Sequence, residues 1–252
     1  MKTILTLGLI AYSLAVIAQT KIEKTFPLQG ARKIELSFEF PKLIQVHTWE
    51  KNEILIKGSV SINRGEHDQA FQLLSSTDAG VISITAELKD KDAIPRRTII
   101  RKGDQEFFFK AADASDPAVK KFLEENGGDY TYMSNGILQE ISLEVFIPKG
   151  MECRVDSKFG LVEVTDFNAP LVVNAPFGGI DATIANSSTG RITARTRFGE
   201  ILTNLDTKFE SADSFHKGDH DHWTEIKASF GNGPAYDFES KFGKVYLRKP
   251  AN

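Results

Sequence analysis

This 252-residue chain has one cysteine, a small net charge and few long apolar runs, and each of these features excludes a class of protein. With one cysteine, Cys153, the chain can form no internal disulfide, so a packed core must supply its stability. A net charge of −3 provides no basic field for nucleic acid. Cys153 lies close to a predicted strand start, where we expect a buried and unreactive thiol.

The N-terminus has the pattern of a cleavable signal peptide. A lysine precedes an apolar run over residues 4–17, which is too short to anchor the chain in a membrane. Val16 and Ala18 fit the small-residue positions before a cleavage site, so residues 1–18 are predicted to be removed before Gln19. We expect an exported protein, in the periplasm, on the outer surface or secreted, with no transmembrane segment in the mature chain.

Apolar and polar residues alternate along most of the mature chain, and this period of two predicts β-strands. The clearest run is Ile141, Leu143, Val145 and Ile147, which ends at Pro148. Comparable short runs, with turn residues between them, recur from the N-terminal part to the end of the chain. The pattern is typical of an all-β protein.

Residues 90–135 depart from this pattern, because they are charged and lack regular alternation. Within them, Ser115 or Asp116 is expected to cap a short helix that begins near Pro117. We interpret the segment as an irregular insertion with one short helix, carried by a single β domain of residues 19–252.

The dipeptide Phe-Gly occurs five times in the C-terminal part of the chain. Its first two spacings are close to the roughly 20 residues of a solenoid turn. We expect each glycine to make a corner with positive φ, and each ring to turn inward and stack in the core. The short final spacing predicts an incomplete last turn. The five pairs are Phe159 and Gly160, Phe177 and Gly178, Phe198 and Gly199, Phe230 and Gly231, and Phe242 and Gly243.

These corner motifs, such as "SKFGLV", "TRFGEI" and "SKFGKV", resemble the exported adhesin families of bacteria that include the auto-transporter adhesin head (GIN) type domain. The resemblance extends over residues 154–249, and the strands in "LIQVHTWEKNEILIKGSV" look like the opening of such domains. It implies a single-stranded right-handed β-helix, or β-solenoid, in the cell envelope. It implies no catalytic residues.

The segment "HKGDHDHW" concentrates imidazole and carboxylate groups, which are ligands for Zn²⁺, Cu²⁺ or Ni²⁺. In an extended chain His220 and His222 share one face, so both can bind one ion. No spaced motif supports a dedicated site, and a solvated loop is the alternative. The candidate ligands are His216, Asp219, His220 and His222. We expect no bound cofactor.

Exposed aromatic residues are candidates for a sugar or peptide platform, namely Tyr130, Tyr132 and Trp223. The alternative is that these rings cover the ends of the fold. The segment "IPRRTIIRKGD" adds a small basic patch that can meet an anionic polymer or simply be solvated.

Three acids, Asp156, Asp181 and Asp206, recur at even spacing and suggest a rival interpretation, a carbohydrate-active β-helix enzyme. A metal-binding module through residues 216–222 is a third. The sequence favours a non-enzymatic, exported, adhesin-like binding or structural protein, whose partner is a cell-surface glycan or an envelope protein.

Overall fold

The computed structural model describes residues 19–214 and 223–250. Those residues contain twenty strands and one α-helix, α1 (Pro117–Glu125). The strands are β1 (Thr20–Pro27), β2 (Lys33–Phe38), β3 (Leu43–Trp49), β4 (Glu53–Ile62), β5 (Phe71–Asp78), β6 (Val81–Leu88), β7 (Arg97–Lys102), β8 (Gln105–Phe109), β9 (Tyr132–Gly136), β10 (Gln139–Pro148), β11 (Glu152–Ser157), β12 (Leu161–Val164), β13 (Leu171–Asn174), β14 (Ile180–Thr183), β15 (Arg191–Thr196), β16 (Ile201–Thr203), β17 (Glu210–Ser214), β18 (Trp223–Ser229), β19 (Ala235–Ser240) and β20 (Val245–Arg248). The predicted signal peptide, residues 1–18, lies outside the described residues.

Two large sheets share one hydrophobic core. The eight-stranded sheet has the order β1-β4-β10-β3-β12-β14-β20-β16, and the nine-stranded sheet has the order β17-β18-β15-β19-β13-β11-β2-β6-β5. Alternate side chains of both sheets are buried in the same cluster, as the period-two pattern predicts. Val155 of β11 and Val162 of β12, for example, are fully buried in it.

Five times along the chain, a strand of the nine-stranded sheet is joined through a tight corner to a following strand of the eight-stranded sheet. We call each such unit of two consecutive strands an arch. In space the arches stack in the order β2–β3, β11–β12, β13–β14, β19–β20 and β15–β16, with parallel pairing throughout. The last arch in the chain, β19–β20, therefore lies between β13–β14 and β15–β16, which both precede it in the sequence. After β16 the chain forms the antiparallel pair β17–β18 and then returns to fill that place.

The prediction of a mainly β protein with one short helix is confirmed. A single-stranded right-handed β-helix is not shown, because both large sheets mix parallel with antiparallel pairs and neither closes on itself. The expected incomplete last turn is wrong: β19 and β20 form a full arch.

Residues 90–135, expected to be irregular, hold most of a three-stranded antiparallel sheet, β8-β7-β9, with α1 packed beside it. Asp116 caps the helix by accepting a hydrogen bond from the Ala118 N–H at 2.9 Å, as the sequence predicted. Ile100 and Val119 are fully buried in a separate small core. Alternation did not reveal this sheet, because four consecutive residues from Arg97 are buried in β7.

Cys153 is fully buried in β11, and burial raises the pKa of its thiol well above the ordinary range. The predicted buried thiol is confirmed. Within the described ranges, no helix has both the length and the apolar character needed to cross a membrane.

Candidate functional site

Four phenylalanines from four arches stack in a row on the outside of the molecule, which we call the aromatic ladder. It runs Phe159, Phe177, Phe242, Phe198, with successive ring centroids 5.5, 5.2 and 5.0 Å apart. The four residues are 45% to 59% exposed. The prediction that these rings turn inward is therefore wrong, although the predicted stacking of successive corners is present.

Small residues occupy the inner side of each corner, which leaves no space there for an aromatic ring. The Ser240 hydroxyl accepts a hydrogen bond from the Gly243 N–H at 2.9 Å and donates one to the Gly178 carbonyl at 2.9 Å. Thr196 accepts from the Gly199 N–H at 3.1 Å in the same way. These buried corner residues are Ser157, Ala175, Ser240 and Thr196.

The ladder glycines are required by the close approach of neighbouring backbones. A Cβ on Gly178 would overlap the Gly160 carbonyl, one on Gly243 the Gly178 carbonyl, and one on Gly199 the Gly243 carbonyl. The φ angles of the four ladder glycines, which include Gly160, lie outside the left-handed region, so the predicted positive φ is wrong. Glycine is needed for a different reason, because arches stacked about 4.8 Å apart leave no room for a Cβ between their corners.

The fifth pair, Phe230 and Gly231, does not belong to the ladder. It connects β18 to β19, and both of its backbone N–H groups donate to the carbonyl of Gly190, at 2.8 and 3.3 Å. Phe230 packs partly buried against the main core, and Gly231 is exposed. The same dipeptide thus has two structural roles, which its sequence alone does not distinguish.

Basic side chains accompany the ladder. In three of the four arches the residue before the ring is basic, and its cation lies over that ring. The distance from the cation to the ring centroid is 5.1 Å for Lys158, 5.5 Å for Lys241 and 4.6 Å for Arg197. Pro176 holds the equivalent position before Phe177. The ladder is therefore an apolar stripe bordered by positive charge.

A cleft of about 510 Å³ lies at the Phe159 end of the ladder, between the first arch and the three-stranded sheet. Phe40 of the first arch and Phe159 of the second line it on one side. Tyr132 of β9 and the start of β10 at Gln139 line it elsewhere. The cleft and the ladder share Phe159, so together they form one continuous surface, the candidate site.

Glu39 is the acidic side chain in this lining, and its carboxylate accepts a hydrogen bond from Lys158 at 2.8 Å. That hydrogen bond holds the pKa of Glu39 below its ordinary value, and Lys91 adds a smaller electrostatic effect. The Lys91 ammonium lies 4.9 Å from the centre of the Phe40 ring. No carboxylate in the described part of the chain lies within ion-pair distance of Lys91.

Two arginines of β7 also line the cleft, and both have acidic partners. Arg97 donates to Glu66 at 2.7 Å, and Arg101 donates to Glu106 at 2.9 Å. Hydrogen bonds from Lys110 and then Arg97 lower the pKa of Glu66 to about 2. Both arginines belong to the basic patch in "IPRRTIIRKGD", whereas Lys91 and Gln139 carried no sequence signal.

The three aromatic residues predicted as a platform are not brought together. Tyr132 lines the cleft and lies under the Arg101 guanidinium, 5.3 Å from ring centroid to Cζ. Tyr130 is exposed on the loop before β9 and does not line the cleft. Trp223 begins β18. In the nine-stranded sheet β18 is five strand positions from β2, the strand of the arch that borders the cleft, so Trp223 is remote from Tyr132.

The predicted metal ligands, His216, Asp219, His220 and His222, lie outside the described residues. Across residues 19–214 and 223–250, no group of three His, Cys, Asp or Glu side chains could hold a metal ion.

The three acids considered for polysaccharide cleavage do not meet in one site. Asp156 projects from β11 of the nine-stranded sheet, and Asp181 projects from β14 of the eight-stranded sheet. Each carboxylate of the three is bonded to a basic residue instead. The pairs are Asp156 with Arg154, Asp181 with Arg248, and Asp206 with Lys249.

No protein-family model matches this chain, and no curated protein matches it. Two solved structures are similar to it. One is a "putative cell adhesion protein" from Clostridium sporogenes, with 8% identity and a TM-score of 0.44, covering 92% of this chain and 100% of that one. The other is a "putative adhesin" from Bacteroides fragilis, with 9% identity and a TM-score of 0.21, covering 93% of this chain and 99% of that one. At these identities and TM-scores, neither structure carries an argument about the function of this chain.

Proposed function

We propose that this chain is a non-enzymatic protein of the cell envelope that binds a linear, anionic polysaccharide along the aromatic ladder. The observation that carries the proposal is the exposure of four stacked phenylalanines in one row. Contiguous apolar surface is costly to leave in water, and such patches commonly mark binding sites. The three steps between ring centroids are 5.5, 5.2 and 5.0 Å, so the row is about 16 Å long and suits an extended polymer.

The charges beside the ladder support an anionic partner. Lys158 and Lys241 lie over their rings, and Lys158 is also paired with Glu39. Lys241, at the centre of the ladder, has no ion pair with a described carboxylate, so a bound chain would meet positive charge beside the apolar surface there. Aromatic ring edges also carry partial positive charge, and stacking leaves those edges outermost. The signal-peptide pattern supports export to a compartment where such polymers occur.

The carboxylates support a binding role over a cleaving one. A glycosidase needs two acids about 5–10 Å apart, one of them with a raised pKa. Where a pKa shift is resolved for a described carboxyl group, it is downward, and hydrogen bonds are the leading cause. These groups are Glu39, Glu66, Asp113 and Glu200. An acid held ionised in this way is a poor proton donor.

The test is retention of the protein on immobilised polygalacturonate. The double variant Phe177→Ser/Phe242→Ser removes the middle of the ladder and is expected to lose retention. Leu74→Ser is the matched control, because Leu74 is an exposed apolar residue of β5, outside the ladder. Retention of the double variant at the level of the control, with both proteins folded, would overturn the proposal.

A further inference from the structure

We propose that the cleft at the Phe159 end of the ladder binds one acidic sugar unit, with its carboxylate on Lys91. This inference rests on the proposed function, because it names the unit of the polymer that the chain recognises. The cleft holds two buried polar groups that have no hydrogen-bond partner among the described residues. Such groups are uncommon in folded proteins, and each calls for an explanation.

Arg97 supplies the first of these groups. Its side chain is only 9% exposed, and its terminal nitrogens bond to Glu66 and to the Arg96 carbonyl. Its Nε is buried and has no hydrogen-bond partner among the described residues. Arginine nitrogens only donate, so this atom requires an acceptor from outside the described chain.

Gln139 supplies the second group. Its Oε1 is buried and also has no partner in the described ranges. The residue begins β10 and lines the same cleft as Arg97. This oxygen only accepts, so it requires a donor. Leaving a buried donor or acceptor unpaired costs about 1–3 kcal/mol. Both atoms are covered by protein in the free structure, so a ligand recovers that cost when the Arg97 and Gln139 side chains shift to expose them.

The two requirements together describe the ligand. A hydroxyl group both donates and accepts, and a sugar ring carries several hydroxyls beside an apolar face. Phe40, Tyr132 and Phe159 provide aromatic surface for that face. The volume of about 510 Å³ falls within the range of small-ligand pockets.

Lys91 specifies the charge. Its ammonium borders the cleft beside Phe40 and carries no ion pair with a described carboxylate, whereas Arg97 and Arg101 are neutralised by Glu66 and Glu106. The remaining unpaired positive charge fits a single carboxylate, as in a uronic acid. Charge-assisted hydrogen bonds of this kind are stronger than neutral ones.

Calorimetric titration with trigalacturonate tests the inference, and the methyl ester of the same trisaccharide is the matched ligand without charge. We expect the ester to bind at least about tenfold more weakly, and Lys91→Gln to weaken trigalacturonate by about the same factor. Lys89→Gln is the matched variant, since Lys89 is a neighbouring exposed lysine that does not line the cleft. It should leave the affinity unchanged.

Gln139→Leu provides a second measurement that a folding defect cannot imitate. An apolar side chain of similar size removes the unpaired acceptor, so the free protein should be as stable as the parent or more stable. Its affinity for trigalacturonate should nevertheless fall severalfold. Unchanged affinity in both Gln139→Leu and Lys91→Gln, or equal binding of acid and ester, or no binding by the parent protein, would overturn the inference.

The ladder variant separates the two proposals. Phe177 and Phe242 do not line the cleft, so Phe177→Ser/Phe242→Ser should bind trigalacturonate like the parent, while its retention on polygalacturonate falls to what the cleft alone supports. If that variant is retained on the polymer as strongly as the parent, the proposed function fails, whatever trigalacturonate does. If trigalacturonate is insensitive to Lys91 but the ladder variant loses the polymer, only the cleft inference fails.

Discussion

The hydroxyl of Ser240 donates a hydrogen bond to the carbonyl of Gly178 at 2.9 Å, across 62 residues of sequence. The same oxygen accepts from the Gly243 N–H, so one buried side chain links two neighbouring arches. The bond fixes the height at which the corner of β19–β20 sits on that of β13–β14. The exposed rings Phe242 and Phe177 are held in contact at the same level, 5.2 Å apart.

Replacing Ser240 by alanine should destabilise the protein. The change leaves the partly buried Gly243 N–H and Gly178 carbonyl without this partner, at a cost of about 1–3 kcal/mol. Urea denaturation followed by circular dichroism measures the change. Ser229→Ala, at an exposed position of β18, should be close to neutral. Equal stability of the two variants would contradict the role given to the hydroxyl.

Alanine at Gly178 should be far more harmful than alanine at Gly231. The new Cβ at Gly178 meets the Gly160 carbonyl, and separating the arches should cost about 1–3 kcal/mol. At Gly231 the nearest atom, the Thr189 oxygen, is 3.9 Å away, so that change should be tolerated. Thermal unfolding of the two variants gives the comparison. A ranking in the opposite order would show that close approach does not determine these glycines.

Loss of a central ring should cost more stability than loss of a terminal ring. Phe242 stacks on both Phe177 and Phe198, whereas Phe159 stacks on Phe177 alone. Phe242→Ser should therefore cost roughly 1–3 kcal/mol from two lost pairs, and Phe159→Ser about half as much. Chemical denaturation distinguishes them. Indistinguishable values would mean that the rings contribute independently of their stacking.

The interaction of Glu66 with Lys110 and Arg97 should make the free energy of unfolding decrease at acidic pH. The folded-state pKa of Glu66 is lowered to about 2 from the ordinary 4.5. Its contribution is therefore fully present above pH 4.5 and is lost as the pH falls from there towards 2. Glu66→Gln should flatten the pH dependence of the unfolding free energy in that window. Glu87→Gln, at an exposed position of β6, serves as the control and should retain the steeper dependence.

Cys153 should be inert towards thiol reagents in the folded protein. It is fully buried, so a reagent cannot reach the sulfur. Burial also raises the pKa of the thiol, so the reactive thiolate does not form at neutral pH. Labelling with a maleimide should be negligible in native buffer and complete in strong denaturant. Rapid native labelling at the rate of a free thiol would show that β11 opens readily.

The sequence by itself determined most strands of the two large sheets, their buried faces and the helix. Alternation places Val155, Val162 and Val173 in the core, and Asp116 with Pro117 marks the start of α1, because both signals depend only on nearby residues. It also placed Cys153 inside. These features do not depend on which strands become neighbours in the folded sheets.

Only the tertiary structure decided the order of the arches, the outward direction of the rings and the existence of the cleft. Parallel neighbours are chosen by contacts between distant segments, so nothing near β20 in the sequence indicates that it lies between β14 and β16. The rings point outward because Ser240 and its equivalents occupy the inner corners once the arches are stacked. The cleft joins Phe40, Lys91, Tyr132 and Gln139, which meet only when the three-stranded sheet lies against the first arch.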